Sequence, residues 1–347
     1  MSVVERYHFD EPQFERLRAL VAEGTLSEES NYVRGAIEPL PEAELKQLDR
    51  KHEAAGREAI ERGEVAAAVL NGGMATRFGG VVKGIVEAVD GRSFLEWKLL
   101  DAERAGVPMV VMNSFATDEA TREFVSGLEV PPPLFFSQSV SLRLNGDGSL
   151  FADDAGSPVP YAPGHGDFLH SLRREGVLGE LRARGVRLLL LSNVDNLAAR
   201  VAPAVVGAHL AGERPVTLEV TAKAPGDTGG APALVKGLPM AVEGFRFPPD
   251  FDQSRISVFS TNCFVFDLDA LDREYDLTWL YVEKEVEGRP AVQLEQLVND
   301  ITRFQPTTYL QVPRSGPRGR FFPVKTPEDL EAAREPLREL LHSSVTD

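Results

Sequence analysis

The sequence predicts an α/β protein with a mostly parallel mixed sheet flanked by helices. Three observations carry that expectation. Four short apolar runs, at 65–70, 109–112, 134–136 and 188–191, have the texture of strands buried on both faces. Amphipathic, helix-like stretches separate them, and the alternation of the two patterns is that of a three-layer α/β domain. In such sheets a ligand sits where loops leave the carboxyl ends of the strands.

Residues 1–64 read as a charged, helical N-terminal segment, with Phe14, Leu17, Leu20 and Val21 on one face and a second helix opening near Pro41. The stretch 93–105 is a helix with Ser93 and Glu96 at capping-box spacing and Gly106 as its stop. Residues 142–163, with Asn145-Gly146, Asp147-Gly148 and several prolines, form a turn-rich insertion. Two short helices flank Gly176 within 167–184. More polar alternation at 216–223, 231–235 and 257–266 predicts a partly antiparallel subdomain. A helix from about 327 to 341 closes the chain. The expected organisation is a helical segment at 1–64, a main domain at 65–330, and a C-terminal helix and tail at 331–347.

Composition narrows the partners. The 347 residues are 43% hydrophobic, enough for a large core, and carry a formal charge of −16 that disfavours extended binding to nucleic acid. No run approaches the roughly 20 apolar residues of a membrane span, and the first ten residues lack a signal-peptide core, so no membrane association and a cytoplasmic location are the expectations. The single cysteine, Cys263, excludes an intramolecular disulfide and a thiolate metal cage.

Four segments carry candidate chemistry. The first buried strand runs into Asn71-Gly72-Gly73-Met74-Ala75-Thr76-Arg77-Phe78-Gly79-Gly80 and then Lys83. Glycines there let backbone N–H groups approach a phosphate, with Arg77 and Lys83 offsetting its charge, although a flexible turn has the same composition. The loop has neither the ending of a P-loop nor the dinucleotide fingerprint. The 188–191 run leads to Ser192-Asn193-Val194-Asp195-Asn196, where Asp195 is either a carboxylate for a hard cation or the N-cap of a following helix. Pro163-Gly164-His165-Gly166-Asp167 aims a histidine from between two glycines. Last, Lys325 follows an apolar, strand-like run and precedes a helix with an acidic first turn.

In this order the segments resemble the UDP-glucose pyrophosphorylase family of UTP:glucose-1-phosphate uridylyltransferases. Further ordered matches are Val111-Met112-Asn113-Ser114-Phe115, Glu219-Val220-Thr221 with Lys223, Gly229-Gly230, Ser260-Thr261-Asn262 and Gln293-Leu294-Glu295. The resemblance implies a Rossmann-like nucleotidyltransferase fold of GT-A type. It implies that Leu70, Asn71, Gly72 and Gly73 wrap the nucleotide, that Gln138 and Gly164 meet the uracil, and that Lys83 reaches the phosphates. It places His165 and Asn193 at the α-phosphate and sugar, Gly230 and Asn262 around the sugar, Mg2+ on Asp195, and Lys325 at the phosphates during transfer. Lys223 matches a family lysine but equally suits a strand-end surface charge.

The family's loop usually continues Gly-Gly-Leu-Gly-Thr-Ser-Met-Gly, whereas Met74, Ala75, Thr76, Arg77 and Phe78 stand here. Thr76-Arg77 and Lys83-Gly84 resemble the related UDP-N-acetylhexosamine pyrophosphorylases instead. The implied reaction joins a sugar 1-phosphate, glucose 1-phosphate first, to UTP, giving a UDP-sugar and pyrophosphate. Transfer of N-acetylhexosamine or galactose 1-phosphate and a non-catalytic nucleotide-sugar sensor are the alternatives. With no room for the C-terminal β-helix of eukaryotic members, the expected state is a monomer or small oligomer.

Overall fold

The computed structural model describes residues 2–75, 80–224, 227 and 229–342. Its centre is an eight-stranded sheet, in spatial order Leu45–Gln47, Thr307–Gln311, Val216–Ala222, Val258–Asp267, Leu188–Asn193, Val65–Leu70, Met109–Asn113 and Leu134–Ser137. Val258–Asp267 runs against both of its neighbours, and every other adjacent pair is parallel.

Alternation explains why the central strands read as unbroken apolar runs. Val65, Ala67 and Val69 face one core with Phe94, Trp97, Val205 and Leu337, while Ala66, Ala68 and Leu70 face the other with Phe168, Leu172 and Leu181. Both faces are covered by helices, so neither needs polar residues. The expected helices stand at Phe94–Ala105, Phe168–Arg174 and Val177–Ala183. Ser93 Oγ accepts the Glu96 N–H at 3.1 Å, and left-handed Gly106 ends the first of them.

The register sets the site. Leu70 pairs with both Asn193 and Met112, and Asn113 pairs with Ser137. Four strands therefore stop level, and the loops after residues 70, 113, 137 and 193 leave the same edge of the sheet.

The N-terminal segment departs from its reading. Helix Glu11–Ala22 does bury Phe14, Leu17 and Val21, against Leu144, Val292 and Leu294. Pro41, however, opens a single 3-10 turn, and the next α-helix is Glu53–Glu61. Between the helices, Ile37–Pro39 joins a small antiparallel sheet with Ala231–Val235 and Leu238–Val242, and Leu45–Gln47 pairs with Thr307–Gln311 at the edge of the central sheet. Strands of three residues are too short to show a period. Two of the segments expected in the antiparallel subdomain, Val216–Ala222 and Val258–Asp267, run instead inside the central sheet. Helix Pro327–His342 spans the expected boundary at 330 and buries Leu330, Ala333, Leu337, Leu340 and Leu341 in the main core. No described helix is long and apolar enough to cross a membrane.

Candidate active site

At the level edge lies a cleft of about 400 Å³ lined by Leu70, Gly72, Gly73, Lys83, Gln138, Gly164, His165, Asn193 and Asp195, together with Glu295. Nine residues singled out in the sequence thus converge from four separate stretches of the chain, at 70–83, 138, 164–165 and 193–195. A larger cavity of about 750 Å³ lies between the N-terminal helix and the 163–174 segment, and none of the candidate site residues lines it. Arg77, with the rest of 76–79, is outside the described residues.

One end of the cleft is built around an amide. Gln138 is buried, and its Nε2 donates to the Gly164 carbonyl at 2.6 Å. A Cβ on Gly72 would stand 2.2 Å from Gln138 Oε1, so the glycine makes room for the amide. Gly164 has φ 86° and ψ 168°, a region essentially closed to residues with side chains. Asp167 fixes this loop to the exit of strand Leu134–Ser137 by accepting from Ser139 N, and to helix Phe168–Arg174 by accepting from Ser171 Oγ, each at 2.6 Å. Asn71 lies just beneath rather than in the cleft. Its Nδ2 donates to Asn113 Oδ1 (2.8 Å) and Thr121 Oγ1 (3.0 Å), tying the first loop to the second.

His165 is held as a neutral donor. The Val298 N–H donates to its Nδ1 at 3.1 Å, which leaves the ring proton on Nε2. Burial pushes its pKa down to about 4, so the ring is uncharged at neutral pH.

Opposite charges meet at Asp195. Its Oδ2 takes an ion pair from Lys83 Nζ, and the two side chains are only 15% and 19% exposed. Asp195 caps no helix, because the next one, Pro203–Gly212, begins after Ala202. Beneath, Lys98 Nζ donates to Ser192 Oγ (3.1 Å) and the Ala199 carbonyl (2.8 Å), and burial lowers its pKa to about 8.

Lys325 arrives by a route the sequence did not disclose. The segment directly before it is not a full strand but a single antiparallel bridge of Pro323 with Asn196; residues 320–323 are clamped by buried Asn196, whose Nδ2 donates to the Arg320 carbonyl (3.0 Å) and whose Oδ1 accepts from Phe322 N (2.9 Å). Val324 N donates to the Asp195 carbonyl at 3.4 Å, so the backbone of Lys325 follows directly after a contact with Asp195, while its exposed side chain is not among those lining the cleft.

On the other side, Asn262 Nδ2 donates to Asn193 Oδ1 at 2.9 Å. From Asn262 a run of hydrogen bonds passes through Ser260 to Asn299 and on to the carboxylate of Glu243. Gly230 stands behind this run, where a Cβ would lie 3.1 Å from Glu243 Oε2. Burial raises the pKa of Glu243. Lys223 is not drawn in: its Nζ donates to the Gln253 carbonyl at 3.3 Å, in keeping with a strand-end role. Glu243 and Asn299 went unmarked in the sequence because only tertiary packing joins them to Asn262, while Glu295, quoted there within Gln293-Leu294-Glu295, was given no role.

The comparisons with known proteins follow this geometry. Residues 13–346 match the family model described as UTP--glucose-1-phosphate uridylyltransferase. A probable UTP--glucose-1-phosphate uridylyltransferase from Schizosaccharomyces pombe is 30% identical over 335 residues, covering 88% of this chain and 65% of its own length. The enzyme of that name from Astragalus penduliflorus is 30% identical over 303 residues, covering 80% and 63%. The chain spans 57–65% of the length of such relatives. Among solved structures, a UDP-glucose pyrophosphorylase from Leishmania major superposes with a TM-score of 0.75 at 25% identity over 92% of this chain and 74% of its own. A UDP-N-acetylglucosamine pyrophosphorylase from Trypanosoma brucei reaches 0.74 at 21% identity over 91% and 75%, which shows the shared fold. A match over nearly the whole sequence, on a fold that gathers the matched motifs into one cleft, establishes that the chain belongs to the UTP--glucose-1-phosphate uridylyltransferase family.

Proposed function

We propose that this chain transfers the uridylyl group of UTP to glucose 1-phosphate, giving UDP-glucose and pyrophosphate. The observation that carries the reading is the convergence of Lys83, His165, Asn193 and Asp195 on a cleft whose far end is the Gln138–Gly164 pair.

The glutamine amide can both donate and accept, which matches the carbonyl and N–H on the uracil edge. Its Nε2 already bonds the Gly164 carbonyl, so a base entering there would find one donor and one acceptor side by side. The sugar 1-phosphate is placed at Asn193 and Asn262, with the Glu243 carboxylate and Asn299 behind them as partners for hydroxyl groups.

An oxygen of the sugar phosphate attacks the α-phosphorus of UTP in line. A bond from that oxygen to phosphorus forms, the bond to the bridging oxygen of the β-phosphate breaks, and pyrophosphate leaves with the electron pair. A phosphate monoester has a second pKa near 6, so the nucleophile is largely dianionic at neutral pH and needs no general base. The chain's own task is orientation and charge neutralisation. His165, neutral with its proton on Nε2, donates a hydrogen bond to an α-phosphate oxygen. Lys83 and Lys325 bring positive charge to the phosphates as charge accumulates on the leaving group.

The donor set fits Mg2+. Among the described residues no group of three or more His, Cys, Asp or Glu side chains could cage a metal. Asp195 offers a single carboxylate in the cleft, and Mg2+ commonly takes one or two carboxylates with phosphate oxygens and waters. Bound there, Mg2+ would supply further neutralisation of phosphate charge.

A pyrophosphate-release assay with UTP and a panel of glucose, galactose and N-acetylglucosamine 1-phosphates tests the reading. Glucose 1-phosphate is expected to give the highest kcat/KM. Turnover only with the N-acetylated sugar would move the assignment to the alternative suited by Lys83-Gly84, and nucleotide binding without any pyrophosphate would reduce the protein to a sensor.

A further inference from the structure

We propose that Lys83 stands in for the cation on Asp195, so that the metal enters only together with the triphosphate. This inference rests on the reading of Asp195 as the metal carboxylate and Lys83 as a phosphate ligand. Its basis is the ion pair between Lys83 Nζ and Asp195 Oδ2, which joins two mostly buried side chains and thereby satisfies the carboxylate that the metal requires.

The surrounding charge points the same way. Lys98 lies beneath Asp195, its Nζ bonded to Ser192 three residues earlier in the chain, and its charge interacts with the Asp195 carboxylate. Lys325 lies one residue beyond Val324, whose N–H bonds the Asp195 carbonyl. Two lysines, Lys83 and Lys98, thus act on one carboxylate. A bare divalent cation would have to displace the Lys83 ammonium from Asp195 and would meet the charge of Lys98 beneath it. A cation already bound to triphosphate arrives with excess negative charge and offers Lys83 new partners in the same movement.

Lys83 is placed for such a swap. It begins the 3-10 turn Lys83–Ile85, and its backbone N–H bonds the Gly73 carbonyl at 3.5 Å, so the root of the side chain is beside the glycine loop. The four-carbon stem spans from Asp195 to that loop by rotation of its own bonds. The released ammonium therefore moves to the phosphates while Asp195 turns to the metal.

The test measures Mn2+ binding to the full chain from the free-Mn2+ electron paramagnetic resonance signal, with and without α,β-methylene-UTP. Wild type, Lys83→Met, Lys83→Arg and Asp195→Asn are compared after circular dichroism shows matching spectra. Without nucleotide, Lys83→Met is expected to bind Mn2+ about tenfold or more tightly than wild type, while Lys83→Arg stays close to wild type. With the analogue, the advantage of Lys83→Met should shrink or vanish. Equal Mn2+ affinities of wild type and Lys83→Met without nucleotide would overturn the stand-in role. If Asp195→Asn loses Mn2+ in that case, the metal assignment survives alone. If Asp195→Asn keeps wild-type Mn2+ affinity with the analogue, the metal assignment fails and the stand-in role fails with it.

Discussion

Arg320 grips the carboxylate of Glu219 through Nε (2.5 Å) and Nη2 (2.8 Å), burying an ion pair immediately before the loop that carries Lys325. Its Nη1 donates to the Arg200 carbonyl (3.1 Å), and Arg200 Nε donates to Asp101 Oδ1 (3.1 Å), so the loop is anchored through helix Phe94–Ala105 as well. Side-chain exposures of 8% and 3% leave neither member of the pair with water as a substitute partner. Removing one partner strands the other, and Arg320→Ala should cost about 3–5 kcal/mol in a denaturant titration. Replacing both by Met should recover part of that loss. A cost below about 1 kcal/mol for the single variant would deny the anchor, since that is the size expected of an exposed pair.

Lys325 separates chemistry from folding. Its side chain is exposed, while its backbone N–H is used by Asp329 Oδ2 at 3.1 Å, so removing the ammonium leaves the helix start intact. Lys325→Ala should lower kcat by about a hundredfold or more with a melting temperature close to wild type. Near-normal turnover would remove this residue from the mechanism.

His165 works as an uncharged donor, and its variants should reveal that. Loss of the donor in His165→Leu should reduce kcat by roughly 10²–10³. His165→Gln, which keeps a side-chain N–H, should recover part of it. Stability gives an independent sign. The folded pKa of about 4 lies below the ordinary 6.5, so an unfolded chain takes up the proton first as the solution is acidified. The contribution of this histidine to stability is therefore intact above pH 6.5 and is lost as pH falls toward 4. Melting curves of His165→Gln should show a weaker acid dependence over that window, and an unchanged slope would contradict the neutral ring.

Glu243 is the specificity test. It joins the run of hydrogen bonds that begins at Asn193, behind the proposed sugar position. Glu243→Gln should raise KM for the sugar 1-phosphate while leaving KM for UTP near its starting value. An equal change in both constants, measured by steady-state kinetics, would place Glu243 outside sugar recognition.

The parts of the molecule legible in the sequence are those fixed by local patterning. Runs such as 65–70 and 188–191 disclosed strands buried on both faces, and Ser93 with Gly106 bounded a helix, because periodicity and capping act over a few residues. Asp195 and His165 were legible as candidates through the glycines and polar residues in their loops, and Gln138 only through family resemblance. The strands at 37–39 and 45–47 were not, since pairing with distant segments forms them. Glu243 was missed for a related reason: nothing beside it in the chain marks it, and its surroundings come from residues 230 and 299. The ion pair between Lys83 and Asp195 joins residues 112 positions apart, a relation no local pattern carries.

The short outer strands of the central sheet matter beyond the cleft. Leu45–Gln47 contributes three residues at one margin and Leu134–Ser137 four at the other. Long bare margins invite further strands to add by backbone pairing, and brief ones offer too few free N–H and C=O groups to hold a newcomer. Both margins of the sheet are therefore blunted, and the N-terminal segment supplies one of those stops.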